Sequence, residues 1–455
     1  MTMMQNKKVL FVSLGCDKNL VDTEKMLGIL SQRGYEFTDE AAEAEVIVVN
    51  SCCFIGDAKE ESIQNIIEMA QYRETGKLQA LIVTGCLAER YRDEVLKELP
   101  EVDAVVGISA WHTIADVLDE VFAKKGEKVQ SFLPKDKLQS DSTRRMLTTG
   151  GHYAYLKIAE GCNKHCTYCI IPSIRGPYRS VPMERLVKEA EELAERGVRE
   201  LILVAQETTV YGVDLYGKKM LPELLRRLCR IPGLAWIRVL YCYPEEINQE
   251  LIDVMKAEKK ICHYLDLPIQ HASDRMLKRM GRQTTQAKLR ETIAHLREEI
   301  PDIVLRTTLI TGFPGETEAD FEELRRFVDE MEFERLGVFP YSQEENTPAA
   351  LMEDQVDEDV KAARRSAIME LQQEISSAVE ESCIGNVFLA VIEGKLSDES
   401  VYVGRTYMDT PGIDGYVFIH CLEELESGTF VPVVITGSDE YDLIGEIDHG
   451  DESAE

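Results

Sequence analysis

Residues 161–169 read GCNKHCTYC, three cysteines within eight positions, separated by gaps of three and then two residues. Thiols this close suit a disulfide framework, a zinc site or an iron–sulfur cluster, and the rest of the chain separates the three. With 455 residues and 44% hydrophobic content, the chain is long enough for two or three domains with proper cores. No apolar run approaches the length of a membrane span. Twelve cysteines, unevenly placed, are too few for a disulfide-stapled secreted domain. A soluble protein of a reducing compartment, read here as cytoplasmic, is the expectation. The opening KKVLFVSLGC loosely resembles a bacterial lipoprotein signal, but its apolar stretch is at the short limit for one.

Working outward toward the amino terminus, KVLFVSLG, AEVIVVNS and ALIVTG are short runs rich in Val, Leu and Ile, with polar or helix-patterned segments between them. That is the pattern of buried parallel strands in an α/β domain, placed here at 7–122. Each run ends in a small turn and a cysteine: Cys16, Cys52 and Cys86. Ligands collect beyond the carboxyl ends of strands in open α/β sheets, so the three thiols are expected to converge on one site. Cys53 adjoins Cys52 with its side chain pointing the other way, and reads as a packing residue. Residues 123–150 are polar and aperiodic, a linker.

From 151 to 383, YAYLKIAEGC, ELILVAQ, WIRVLYCYP, YLDLPIQ, IVLRTTLITGF and RLGVFPYS alternate with helical segments. One helix, in VPMERLVKEAEELAERG, takes Ser180 as N-cap and Gly197 as stop. Six β/α repeats predict a partial (β/α)6 barrel with function at the C-terminal strand ends, where the cysteine motif falls. After 386 the helices cease. NVFLAVIEG, VYVGRT, GYVFIHC and TFVPVVITGS predict a small antiparallel β-barrel over 386–452. The fold class is α/β multidomain.

A 4Fe-4S cluster has four irons, each seeking a fourth ligand, so three cysteines leave one iron open to bind something else. Zinc would want a fourth ligand, and His165, directly before Cys166, is poorly placed to reach the same metal. His165 and Lys164 read instead as holding a turn or a neighbouring anion.

The spacing CxxxCxxC, with Tyr168 before the last cysteine and at the end of the first barrel strand, resembles the signature of radical S-adenosylmethionine (SAM) enzymes, and LRTTLITGFPGET resembles their fifth-strand segment against the adenosine. SLGCDKNLVDTE, NSCCFIGDAKEES and VTGCLAERY, together with the C-terminal barrel, narrow the resemblance to the three-domain methylthiotransferases, whose last domain is called TRAM. The GCDKN form looks most like the branch that modifies small-subunit ribosomal protein S-twelve.

The resemblance implies that Cys162, Cys166 and Cys169 hold the radical cluster and that Cys16, Cys52 and Cys86 hold an auxiliary 4Fe-4S cluster, giving two clusters plus SAM. One SAM would donate a methyl group to sulfur at the auxiliary cluster. Another would be cleaved reductively to remove hydrogen from an unactivated carbon, with electrons from a separate donor. The carbon implied is the β-carbon of an aspartate.

Tyr168, Gln206, Glu207, Gly312 and Glu316 are candidate cofactor-binding residues. Gly312 would let backbone approach the nucleoside, while Gln206 and Glu207 would hold the methionine portion. Arg279 and Arg282 read as a solvated helix face that could also meet the cofactor carboxylate.

The net charge is −31. Residues 386–455 carry two basic and sixteen acidic side chains, a net charge of −14. Such a surface repels nucleic acid, whose binding rests on neutralised phosphates, and suits a basic protein partner. A transfer-RNA adenosine methylthiotransferase is the nearest alternative, and a non-catalytic iron–sulfur electron carrier or scaffold is the alternative of another class.

Overall fold

The structure, a computed structural model, describes residues 7–124, 126–136, 138, 144–396 and 400–450. Residues 125, 137 and 139–143 of the expected linker at 123–150 and residues 397–399 and 451–452 of the expected 386–452 barrel thus lie outside the described residues. The chain forms two compact units, one of Met1–Thr148, Ala159–Val181 and Ser342–Ala350, the other of Thr149–Ile158, Pro182–Tyr341 and Leu351–Glu455.

In the first unit, β1 (Lys8–Ser13), β2 (Glu36–Phe37), β3 (Val46–Ser51), β4 (Ala80–Gly85), β5 (Ala104–Val106) and β6 (Val129–Ser131) form a parallel sheet in the order β2-β1-β3-β4-β5-β6. β3 and β4 are buried along their whole length, so both faces of the pleat are apolar and the runs do not alternate. Val46, Val48, Ile82 and Trp111 sit in one core cluster, and Ile47, Val49, Leu81 and Val83 in the other. The KKVLFVSLGC run that resembles a signal peptide is β1, paired on both sides. Because β1, β3 and β4 are neighbours, their C-terminal ends deliver Cys16, Cys52 and Cys86 side by side.

The same unit takes in the cysteine loop. β8 (Ala159–Glu160) pairs with β9 (Arg179–Ser180) and closes its base, while Ile170 and Ile174 join the cluster of Ile47, Val49 and Leu87. Compactness therefore divides the chain differently from the sequence blocks 7–122 and 151–383, because the apolar face of the short helix Ile171–Arg175 has its partners on the first sheet.

In the second unit, β7 (Tyr153–Lys157), β10 (Glu200–Val204), β11 (Trp236–Val239), β12 (Ile261–Asp266), β13 (Val304–Thr311) and β14 (Arg335–Pro340) run parallel in chain order, a partial barrel of six strands. Ser180 is not a helix cap: it lies in β9, and Pro182 occupies the N-cap position of helix Met183–Glu195. Proline holds the residue before it extended, so the helix cannot reach back to Ser180. Gly197 does end that helix, at φ 98°, with the amides of Gly197 and Val198 donating to Ala194 and Leu193 carbonyls.

The C-terminal domain is a closed barrel of β15 (Val387–Lys395), β16 (Val401–Arg405), β17 (Val417–His420), β18 (Phe430–Ser438) and β19 (Leu443–Ile447), ordered β15-β16-β17-β19-β18. It is not antiparallel throughout, since β19 pairs parallel with β17. β19 is also a fifth strand absent from the apolar runs read in the sequence, where its short stretch, LIGEI, offers little apolar continuity.

This barrel packs under the N-terminal ends of the large barrel's strands. Arg405 Nη2 lies 2.6 Å from Glu200 Oε2, and Arg238 Nε donates to Glu200 Oε1 at 2.9 Å. Arg405 Nε donates to Glu393 at 2.6 Å, Arg335 pairs with Asp409 at 2.7 Å, and the Trp236 and Phe430 rings meet edge-on at 4.8 Å. Burial pushes the Glu200 carboxyl up, but Arg405 and Arg238 outweigh it and hold the group below the usual carboxylate range. Of the two basic residues after 386, Arg405 is thus buried in this junction, and Lys395 is paired with Glu424 at 2.9 Å.

Glu380 ends fully buried, 2.7 Å from an Arg335 guanidinium that Asp409 also engages. Burial raises its carboxyl from 4.5 to about 7, with Arg335 opposing. The folded state therefore prefers the protonated acid, and that contribution is full below about pH 4.5 and lost as pH rises through 7. Glu380→Gln is expected to flatten this unit's unfolding midpoint between pH 5 and pH 8, where the parent declines by on the order of 2 kcal/mol. Thermal melts across that range check it.

Candidate functional site

Cys16, Cys52 and Cys86 each stand where a strand hands over to a helix: Asp17–Gln32, Gly56–Ala70 and Cys86–Tyr91. Their placement is held by side chains that bond backbone. Ser62 Oγ accepts from the Cys52 amide at 2.9 Å and donates to its carbonyl at 2.8 Å. Asn19 Nδ2 donates to the carbonyls of Leu14 and Ser51, both at 3.1 Å, fixing the segments that lead into Cys16 and Cys52. Gly85, at φ 92°, lies against Asn50 and Ser51, where any Cβ would collide with the Ser51 backbone. Burial raises the Cys52 thiol to about 12, and Cys86 and Cys16 push it further as neighbours. Cys86 is likewise raised by burial, with Arg175 opposing and Cys16 adding. Cys53 is fully buried in the apolar core with Ile66 and Val83, as a packing residue should be.

The second triad lies on the loop between β8 and β9. Cys162 donates its amide to Gly176 O at 3.2 Å, and Cys169 donates to Cys166 O at 3.1 Å. The Lys164 amide points at Cys162 Sγ, 3.4 Å away, and Asn163 Oδ1 accepts from the Tyr178 amide at 2.9 Å. Cys162 and Cys166 are buried; Cys169 and Tyr168 are partly so, and His165 is exposed. Burial takes the Cys169 thiol to about 12, with Cys166 and Cys162 adding to the rise.

Both triads suit a metal cluster. Burial raises the thiols of Cys52, Cys86 and Cys169, and metal binding to a thiol site releases its protons. Among the described residues no three Cys, His, Asp or Glu side chains gather as tightly as a single ion requires. A polynuclear cluster, which binds each thiolate through a different iron, fits six soft sulfur donors in two groups of three.

The remaining candidates lie at the C-terminal ends of the large barrel's strands. Gln206 and Glu207 follow β10; Glu207 is buried, and its Oε1 accepts from the Thr209 amide at 3.1 Å and from the Thr209 hydroxyl. Gly312 follows β13 at φ 68°, and the space a Cβ would need is filled by the Lys361 side chain. Glu316 Oε2 accepts from the Gly312 amide at 2.8 Å and from Phe313 at 3.3 Å, while its Oε1 meets Arg364 at 2.9 Å. Its carboxylate is thus committed to holding the turn that Gly312 opens. Fully buried His271 accepts the Ala272 and Ser273 amides at Nδ1 and sets Nε2 3.6 Å from Glu316, a neighbour the sequence did not suggest.

Arg279 and Arg282 do not form a solvated face. Arg279 donates to Pro314 O at 3.1 Å and pairs with Asp354, and buried Arg282 lies over the Tyr243 ring and 3.2 Å from Glu245. Arg175, six residues beyond Cys169, joins the site unannounced by any motif; an arginine inside the apolar stretch IIPSIRG is its one signal in the sequence.

The chain matches sequence models of the radical SAM superfamily over residues 156–328, of uncharacterized protein family UPF0004 over 8–107, and of the TRAM domain over 384–447. A protein of Lachnoclostridium phytofermentans named ribosomal protein uS12 methylthiotransferase RimO is 62% identical over 438 residues, which cover 96% of this chain and 99% of that one. One of the same name from Acetivibrio thermocellus is 52% identical over 97% of this chain and 98% of its own. Among solved structures, the radical S-adenosylmethionine methyltransferase TsrM of Kitasatospora setae superposes with a TM-score of 0.53 at 15% identity, over 86% of this chain and 79% of that one. At that identity the likeness is one of fold. No helix among the described residues is long and apolar enough to cross a membrane.

Proposed function

The chain belongs to the ribosomal protein uS12 methylthiotransferase family of radical SAM enzymes, and from that premise we propose that it adds a methylthio group to the β-carbon of an aspartate in ribosomal protein S-twelve, using two 4Fe-4S clusters. The enzyme class, the radical SAM cluster and SAM follow from membership. The observation that carries the finer reading is the pair of buried or half-buried cysteine triads within one compact unit.

Cys162, Cys166 and Cys169 would hold a 4Fe-4S cluster, which would supply the electron for SAM cleavage and so the means of attacking a carbon whose hydrogen no side-chain base can remove. The chain's own residues do the rest. Tyr168 lies beside the cluster thiols. Gln206 and Glu207 take the methionine portion, with Glu207 oriented by Thr209. Gly312 and Glu316 act through backbone: the carboxylate fixes the turn, and the turn shapes the wall that meets the nucleoside. Cys16, Cys52 and Cys86 would hold the second cluster.

The acidic C-terminal barrel attracts a basic protein. Its seat under the N-terminal strand ends lies about one strand length, roughly 20 Å, from the ends that carry Gln206 and Gly312. That exceeds a Debye length of about 8 Å, so its charge speeds encounter while nearer surfaces orient the substrate. The electron donor is a separate protein or small reductant, and the cytoplasm is the compartment proposed.

Reconstituted enzyme with reductant, sulfide and SAM, offered in parallel to S-twelve protein and to unmodified transfer RNA, tests the assignment. Mass spectrometry is expected to find one methylthio group replacing one hydrogen on the protein's aspartate. The same gain on the RNA alone would refute the substrate.

A further inference from the structure

Arg175 is 1% exposed, yet it carries a full charge that burial alone would make costly. Its Nη1 donates to Glu160 Oε1 at 2.8 Å, and Asp22 Oδ2 lies 3.9 Å away. Its Nη2 donates to Asn19 Oδ1 at 2.5 Å and points at Cys86 Sγ, 3.4 Å distant. A thiol is a weak acceptor, so aiming a buried guanidinium at one gains little. A thiolate bound to iron is a strong acceptor, and the same contact then becomes charge-assisted.

Asn19 extends the reach. The amide whose oxygen accepts from Arg175 donates to Leu14 O and Ser51 O, the carbonyls that precede Cys16 and Cys52. Arg175 therefore touches one cysteine of this triad directly and the approach to the other two through a single side chain. It also closes the helix Ile171–Arg175, which begins two residues after Cys169, so one guanidinium ties the loop of one triad to the ligands of the other.

We propose that Arg175 is a positioning residue of the cluster at Cys16, Cys52 and Cys86, which holds its ligands in register and raises its reduction potential. This rests on the two-cluster reading above. Reduction adds negative charge to the cluster, and a cation in hydrogen-bond contact with a ligand sulfur stabilises the reduced form more than the oxidised one. Glu160 works against this by neutralising part of the guanidinium charge.

The test uses the full chain with Cys162, Cys166 and Cys169 all replaced by alanine, so that only the second cluster remains, and measures bound iron and the midpoint potential by EPR-monitored redox titration. Arg175→Gln is expected to lower the midpoint by the equivalent of about a tenfold change in the oxidised-to-reduced ratio, about 59 mV for one electron. Arg175→Lys, which keeps the charge but loses the two-pronged contact, is expected to lie between. Glu160→Gln should move the midpoint upward.

If the triple-alanine protein binds no iron, the two-cluster reading fails. If it binds about four irons and both Arg175 variants keep the parent midpoint, the cluster stands and the role of Arg175 is refuted. Loss of thermal stability with an unchanged midpoint in the remaining cluster would also refute it, as a purely structural arginine. Should the Arg175 variants not fold, an unmoved midpoint in Glu160→Gln overturns the proposal.

Discussion

Alanine at Cys86 is expected to abolish methylthio transfer while SAM cleavage survives, whereas alanine at Cys162 is expected to abolish both. The two triads have separate backbones, one delivered by three neighbouring strand ends and the other by a single loop closed by β8 and β9. Removing one ligand leaves the other triad's framework in place. Each single loss should take bound iron from about eight to about four per chain and lower transfer on the order of a thousandfold or more. Iron analysis, deoxyadenosine release and mass spectrometry of the protein product together check it. Equal loss of SAM cleavage in both variants would mean that the triads do not serve separate steps.

Arg405→Met is expected to destabilise the second unit by about 3–5 kcal/mol, because it removes one partner of a buried charge network. Glu200 and Arg405 are fully buried, and Arg405 spans Glu200 and Glu393 at 2.6 Å each. Methionine fills the space but leaves Glu200 with Arg238 alone and Glu393 with His152. Pairing the change with Glu200→Leu should cost more than Arg405→Met alone, since fully buried Arg238 then loses its carboxylate partner. Denaturant unfolding of the single and double variants measures the difference, and protease sensitivity of the C-terminal barrel reads out its release from the strand ends beneath which it sits.

Both effects trace to features that differ in how far the chain announces them. The cysteine spacings are local: ligands three and four positions apart share one loop whatever the rest of the fold does, and a thiol at the end of a buried apolar run lands at a sheet's carboxyl edge. The run lengths also declared the parallel strands, because strands buried on both faces need continuous Val, Leu and Ile. Buried arginines carry no such local signal. Arg282 sits in a polar stretch that suits a solvated helix, whereas its stacking on Tyr243 and its contacts with Glu245 and the Pro268 carbonyl place it inside. Ser180 has the chemistry of a cap, but Pro182 stops the helix short of it. β19, a short strand with a central glycine, gains its pairing from β17 and β18 rather than from its own composition.

By itself the sequence determined the donors the protein can offer: six cysteines in two groups of three, the strand-and-helix alternation that presents them, and a strongly acidic carboxyl-terminal domain. Tertiary structure alone decided which groups meet. It grouped the loop of Cys162 with the sheet of Cys16, set Arg175 between Glu160, Asn19 and Cys86, and placed the small barrel against the N-terminal strand ends. The reason is physical. Ligand spacing and hydrophobic period act over a few residues, whereas the partner of a buried charge is chosen by packing across more than a hundred residues of chain, as between Asn19 and Arg175 or Glu200 and Arg405, and no local pattern encodes that choice.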